Sequence, residues 1–314
     1  MSNPSLALWR AKNYLRSISP YVKREKFQRV TLAYEELLAA LPHTPRASTA
    51  KIRSMKPPRS PMASEVCLFV THADRPGLKR HVADHIAHLL AAGIEVVLIA
   101  NSDLDDLELS IEPALMTRLL AAHARENLGF DFAAWSHALQ LLRGHTFERI
   151  YLVNDSIAGP LDAAAFGALM QRVRESPADL VGLTENARPK PHLQSYFLVF
   201  SRRAQHSAAW HAIFDDALAF ASKEHVIAVY ETQLTAVFEA AGLSTMCLFP
   251  DDAPDPRLPD YIHYRWRELI ERGMPFVKTS VLRKYAAEAA MRSLVPEAYR
   301  RDLVPDDRTD GAPT

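Results

Sequence analysis

Cysteine is almost absent: Cys67 and Cys247 are the only two in 314 residues. Each sits inside an apolar, strand-like run, so they read as buried packing residues and exclude a disulfide framework or a thiolate metal site. Net charge is absent too, with 37 basic residues balanced by 37 acidic ones. That balance argues against bulk attraction to nucleic acid, and we expect no nucleic-acid partner. No apolar run approaches the roughly 18 residues needed to cross a bilayer. The start, "MSNPSLALWRAKNYLR", lacks a continuous apolar core followed by small residues, which argues against secretion and for a cytoplasmic protein. A glycine-rich, Lys-containing triphosphate loop is missing, and so is any internal repeat.

What is present is a 48% hydrophobic chain, long enough to bury a substantial core without disulfide or metal staples. Residues 1–42 carry Leu6, Trp9, Leu15, Val22, Val30, Leu32, Leu37 and Leu38 at helical spacings, and Pro20 splits the run into two expected helices. Arg10, Lys12, Arg16, Lys23, Arg24, Lys26 and Arg29 face only Glu25 there. Residues 42–61, rich in Pro, Ser and basic side chains, read as an extended linker.

From residue 65 the texture becomes alternating strand and helix. "EVCLFVTHA", "IEVVLIANS", "FERIYLVNDS", "ADLVGLTEN" and "HLQSYFLVFSR" are apolar strands that end in polar residues. "GLKRHVADHIAHLLAAG" and "VYETQLTAVFEAAG" are helices closed by Gly93 and Gly242. The pattern predicts an α/β fold with a largely parallel sheet covered by helices on both faces. Ligands in such folds bind beyond the carboxyl ends of the strands, so the polar strand ends form the expected site. "YIHYRWRELIERGMPFVKTSVLRKY" reads as a helix, a turn and a return segment, and the tail from about residue 303 as disordered.

Four constellations could carry chemistry. Asn154, Asp155 and Ser156 end a strand: Asp155, helped by its neighbours, could hold a hard divalent cation such as Mg²⁺ or Mn²⁺, or the triplet could simply make a turn. In "RENLGFDFAAW", Gly129 permits positive φ or close approach to a ligand, and Asp131 precedes a helix as a cap or beside a bound anion. Glu231 opens a helix near the rim, as a proton acceptor or as a carboxylate favoured by the helix dipole. His81, His85 and His88 share one helix face. No carboxylate or cysteine motif joins them, so they read as a half-solvated face and not a metal site.

Taken together, "RENLGFDFAAW", "YLVNDSIAGPL", "HLQSYFLVF" and "ELIERGMPFVKTSVLR" resemble the rhamnan synthesis protein F family of bacterial surface-polysaccharide assembly, over about residues 65–285. The resemblance implies a glycosyltransferase of GT-A type, a nucleotide-sugar donor (typically dTDP-L-rhamnose) and a lipid-linked saccharide acceptor. It implies a transferase domain over 64–285, which leaves the helical extension and linker read above over 1–60 and a C-terminal helix and tail over 286–314. By the same resemblance, His72, Arg75, Ser102 and Asp103 lie near the donor nucleotide. Asn127, Gly129 and Asp131 match an Asn-x-Gly-x-Asp motif beside the donor. Asn154, Asp155 and Ser156 stand where many GT-A enzymes carry Asp-x-Asp, with Asp155 as metal ligand. Arg125 offers an alternative phosphate counter-charge, because only one carboxylate of the motif remains. Gln194, Ser195 and Tyr196 floor the sugar site, and Glu231 is the general base. The basic N-terminal residues 1–40 could rest on an anionic inner membrane leaflet, or pack on the catalytic domain.

Overall fold

A computed structural model describes residues 35–104, 109–188, 190–252 and 260–304. The helices expected over residues 1–42 fall outside these residues up to 34, whereas 35–40 are helical.

Two secondary-structure periods alternate along the chain. Strands β1 (Ile52–Lys56) and β2 (Glu65–His72) lead to helix α1 (Arg80–Ala91), then β3 (Glu95–Ser102), α2 (Pro113–Arg118), β4 (Ala121–Glu126) and α3 (Phe130–Leu141). Next come β5 (Arg149–Asn154), β6 (Ile157–Ala158), α4 (Ala163–Glu175), β7 (Leu180–Gly182), β8 (Glu185–Asn186), β9 (His192–Leu193) and β10 (Phe197–Ser201). Helices α5 (Arg202–Gln205), α6 (Ala208–Phe214) and α7 (Lys223–Val226) precede a π-helical turn, Ile227–Glu231, that runs directly into α8 (Thr232–Ala240). The chain continues through β11 (Thr245–Cys247), α9 (Trp266–Glu271), β12 (Val277–Lys278), α10 (Thr279–Lys284), α11 (Ala289–Leu294) and α12 (Glu297–Leu303).

Eight strands form one sheet in the order β1-β4-β3-β2-β5-β10-β7-β11. The neighbours β4, β3, β2 and β5 are mutually parallel, and β11 is parallel to β7. Strand β1 and the central insertion β10 run antiparallel to their neighbours. The α/β class and largely parallel sheet expected from the strand pattern are therefore what the chain forms. Strand β2 shows why a continuous apolar run suits this position. Cys67 and Phe69 face one core with Val82, Ile86 and Leu89 of α1, while Val66, Leu68 and Val70 face the other with Phe132 and Trp135 of α3. The indole Nε1 of Trp135 donates to Leu68 O at 3.1 Å, which ties α3 to the sheet.

Several expectations need correction. The stretch 42–61 is not simply a linker. It supplies edge strand β1, registered so that Ile52 pairs with Arg125. It also docks Ala47 by a 2.7 Å bond from its N–H to Ala217 O. Lys and Arg on β1 suit a sheet edge, where charge discourages further pairing. Strand β4, "AAHARE", was not among the expected strands, because it has no β-branched or aromatic residue. The parallel partner β3 and the antiparallel partner β1 impose the conformation.

Two of the three histidines on the α1 face are not solvated, and only His88 is half-exposed. His81 and His85 are both fully buried, and His85 lies among Phe69, Phe166, Phe197 and Phe276. Neither ring nitrogen of His85 has a partner among the described residues, and burial pushes its pKa well down, so it packs as a neutral aromatic ring. The helices near the C-terminus pack against α1, and the tail expected from about residue 303 lies, from 305 on, outside the described residues. Leu303 is buried, and the Tyr299 hydroxyl donates to Asp84 at 2.9 Å.

Candidate functional site

The carboxyl ends of β2, β3, β4 and β5 lie side by side, so the residues after them share one rim. Parallel register brings Val70 beside Asn154 and Asn101 beside Arg125, and it fixes the level at which each strand releases its polar residues.

Asp155 sits at the centre. Its Oδ2 accepts from the Thr71 hydroxyl at 2.7 Å, from the His72 backbone N–H at 3.1 Å and from the Lys79 ammonium at 3.0 Å. Burial pushes this carboxyl up. The Lys79 charge and the bonds from Thr71 and Lys79 outweigh burial and hold it below its ordinary value. Beside it, Asn154 Nδ2 donates to Asp131 Oδ2 at 2.7 Å, and Asn154 Oδ1 accepts from Ser156 N at 3.0 Å. Asn154 makes the turn that the triplet offered, while Asp155 reaches the rim and holds Lys79.

Asp131 does not cap α3. Gly129 holds the cap position, and the Asp131 carboxylate turns to Asn154 instead. Burial, followed by the nearby charge of Asp155, raises its pKa to about 7, with Glu231 contributing in the same direction. Lys223 and the Asn154 bond act against the rise. Gly129 adopts φ 79°, and a Cβ there would meet Ala219 Cα at 2.5 Å. The close approach that requires glycine is therefore made by the chain's own backbone.

Glu231 does not open a helix. It closes the π-helical turn inside the continuous helical stretch from α7 to α8, so a helix-dipole explanation of this carboxylate falls away. Such turns are rare and recur at functional sites. Glu231 Oε2 accepts from Ser195 N at 3.1 Å and from the Ser195 hydroxyl. Its Oε1 lies 3.9 Å from His192 Nε2, and the side chain is 20% exposed. Because His192 Nδ1 must donate to Lys190 O at 2.7 Å, Nε2 carries the lone pair in the neutral ring.

A second cluster flanks the first. Asp103 Oδ2 lies 3.0 Å from His72 Nε2, and its Oδ1 accepts from Asn127 Nδ2 at 3.1 Å. Those bonds, the His72 bond foremost, hold the Asp103 carboxyl below its ordinary value. The cluster borders a cavity of about 380 Å³ whose lining includes Lys51, Arg53, Asp103, Glu126 and Asn127, so the supposed linker contributes two basic side chains to it.

Other candidate residues face inward or elsewhere. Arg125 is 2% exposed and donates to the backbone carbonyls of Ala47, Glu126 and Leu128, bracing the β4–α3 loop. That placement makes it a structural brace and not a surface counter-charge for phosphates. Arg75 pairs with Asp302 of α12. The Ser102 hydroxyl accepts from Leu104 N at 3.0 Å. Gln194 and Tyr196 are buried, and both side chains bond Thr184. Ser195 anchors Glu231. Thr71, Lys79, His192 and Lys223 escaped sequence reasoning because no spacing or motif marks them.

The donor set at Asp155 does not fit a resident divalent cation. Such ions want several oxygen ligands, usually including more than one carboxylate. Here one oxygen of one ionised carboxylate already carries an ammonium, and Asp131 is held close to neutrality. Among the described residues no three His, Cys, Asp or Glu side chains converge as a metal cage.

A family model described as rhamnan synthesis protein F matches residues 96–306, well over half the chain. The chain belongs to that family. Two curated relatives are similar to this rhamnan synthesis family member. An uncharacterised protein of Sinorhizobium fredii is 27% identical over 204 residues, covering 62% of this chain and 51% of its own length. The virulence protein VirA of Vibrio anguillarum is 27% identical over 198 residues, covering 51% and 61%. The chain therefore spans about half to three-fifths of the relatives it matches.

Among solved structures, a candidate nucleotide-diphospho-sugar transferase from Desulfovibrio desulfuricans aligns at TM-score 0.42 and 14% identity, over 75% of this chain and all of that one. A mannosyltransferase from Pyrobaculum calidifontis, in complex with GDP-mannose and Mn²⁺, aligns at TM-score 0.37 and 12% identity, over 96% and 79%. No helix among the described residues is long and apolar enough to cross a membrane.

Proposed function

We propose that this family member is a glycosyltransferase of GT-A type. It moves a sugar, L-rhamnose or another deoxyhexose, from a nucleoside-diphosphate donor to a growing lipid-linked, cell-surface saccharide. Residues 64–285 carry the reaction, and the more C-terminal helices complete the fold. The observation that carries the reading is Glu231. Its carboxylate is anchored through Oε2 by Ser195, leaves Oε1 open, and sits close enough to Asp131 to influence its titration.

In this mechanism the donor nucleotide lies along His72, Asp103 and Asn127, and its diphosphate against the rim at Asn154 and Asp155. The acceptor hydroxyl gives its proton to Glu231 Oε1 as it attacks the anomeric carbon, while the nucleoside diphosphate leaves from the opposite face. Ser195 keeps the carboxylate from rotating, and His192 Nε2 stands behind Oε1 at 3.9 Å.

Incubation with dTDP-rhamnose and a lipid-linked saccharide, following dTDP release and acceptor mass together, tests the reading. A mass increase of one deoxyhexose is the expected result. Donor binding with neither dTDP release nor mass gain would instead favour a saccharide-binding module that has lost turnover. The basic segment over residues 1–40 places the enzyme peripherally at the inner membrane face in this proposal, where lipid-linked acceptors are met.

A further inference from the structure

We propose that Lys79 binds the donor diphosphate and that its ammonium holds the place a divalent cation takes in metal-dependent transferases, so that donor binding needs no metal ion. The inference rests on the transferase reading above and deepens it by naming what balances the leaving group's charge.

Three observations carry it. The first is the missing acid. Where two carboxylates would grip a cation, Asn154 supplies an amide, and that amide is engaged by Asp131 at 2.7 Å. The second is occupancy of the remaining acid. Lys79 Nζ lies 3.0 Å from Asp155 Oδ2, the oxygen that also takes the Thr71 hydroxyl and the His72 N–H. A divalent ion seated on that oxygen would stand next to a like charge, in a site where neither is well solvated. The third is how the lysine is held. Nζ also donates to His72 O at 2.8 Å, and the side chain is only 16% exposed. Two of its three N–H groups are therefore fixed, and the third has no partner among the described residues.

An ammonium preorganised in this way differs from a surface lysine. Its rotamers are already restricted, so little entropy remains to be lost on binding phosphate. Its partial burial raises the strength of a charge-assisted bond above its value in water. Lys79 also directly precedes the twelve-residue helix α1, whose amino end adds positive potential on the same side. Asp155 becomes the residue that aims Lys79, and Thr71 the one that fixes Asp155.

Calorimetric titration of the full chain with dTDP, UDP and GDP, each in excess EDTA and then in excess Mg²⁺ or Mn²⁺, tests this. We expect at least one nucleoside diphosphate to bind with the same Kd in all three media. Lys79→Met should weaken that binding about 10- to 100-fold, the loss of one charge-assisted bond. Lys79→Arg should retain most of it. Where Lys79→Met alone fails to give a cooperative melt, the Lys79→Met/Asp155→Asn pair leaves no orphaned charge and is read in the same way. Binding that vanishes in EDTA and returns with Mn²⁺ overturns the inference while leaving the transferase reading intact. So does a folded Lys79→Met protein that binds like the parent. No nucleotide bound in any medium overturns both.

Discussion

Replacing Asp131 by Asn should make the protein more stable at pH 8 and leave it nearly unchanged at pH 4. In the unfolded chain this carboxyl titrates near 3.8, and in the folded chain near about 7. Between those values the folded state binds the extra proton, so Asp131 loses stability for the fold as pH rises through that window. The shift of about three units sets an upper limit of about 4 kcal/mol. The carboxylate is half-buried, so solvent screens part of the penalty, and we expect about 1–2 kcal/mol at pH 8. Asn keeps the shape and can still accept the bond from Asn154, so the substitution removes only the charge. Thermal melts of both proteins from pH 4 to pH 8 should diverge by a few degrees at the top of the range, about 2–5 °C. The same charge faces the diphosphate site, so nucleotide affinity of the parent should fall above pH 7 and that of Asp131→Asn should not. A stability difference that is flat with pH, or a variant less stable at pH 8, would refute the assigned environment of Asp131.

Three further outcomes are expected. Glu231→Gln should lower turnover about 10²-fold or more while donor affinity, read by calorimetry, stays within about twofold. Gly129→Ala forces a side chain into positive φ and against the Ala219 backbone. It should cost about 2–4 kcal/mol, seen as a lowered denaturation midpoint. The basic N-terminal segment should carry the full chain to the top of a flotation gradient with anionic vesicles but not with neutral ones. Equal recovery with both would remove the membrane from the proposal.

How much of this was legible in the sequence depends on which physical signal each element carries. Strands β2, β3 and β5 are buried on both faces, so their apolar runs are long and their polar ends are unmistakable. The rim that gathers His72, Asp103, Asn154 and Asp155 follows from those ends. Strand β4 carries no such signal, since Ala, His, Arg and Glu fill it and its conformation comes from its two partners. The helix over α1 was readable from Val82, Ile86 and Leu89. The orientation of its histidines was not, because a neutral imidazole stacked on phenylalanines packs like an aromatic ring while scoring as polar.

The same limit applies to the site. Sequence spacing can place Glu231 near a helix and near the rim, but an extra residue in one turn leaves no mark in composition. That π-helical turn directly precedes Thr232, and Glu231 at its end meets Ser195. Asp155 shows the complementary case. Its carboxylate was identifiable from "NDS", yet its chemistry is set by Lys79, which lies 76 positions away in sequence and belongs to no recognisable motif. A lone acid at a strand end is ambiguous between metal ligand and turn residue. An acid with an ammonium on one oxygen has become half of an ion pair, and the useful question then moves to the cation. If the leaving diphosphate is met by Lys79, the missing second acid of the motif is the consequence: a further carboxylate there would compete with phosphate for the same ammonium. By that reasoning Asn154→Asp should weaken nucleotide binding in EDTA and in Mn²⁺ alike, and an affinity strengthened in Mn²⁺ would show that the site is short of acid, not rid of it.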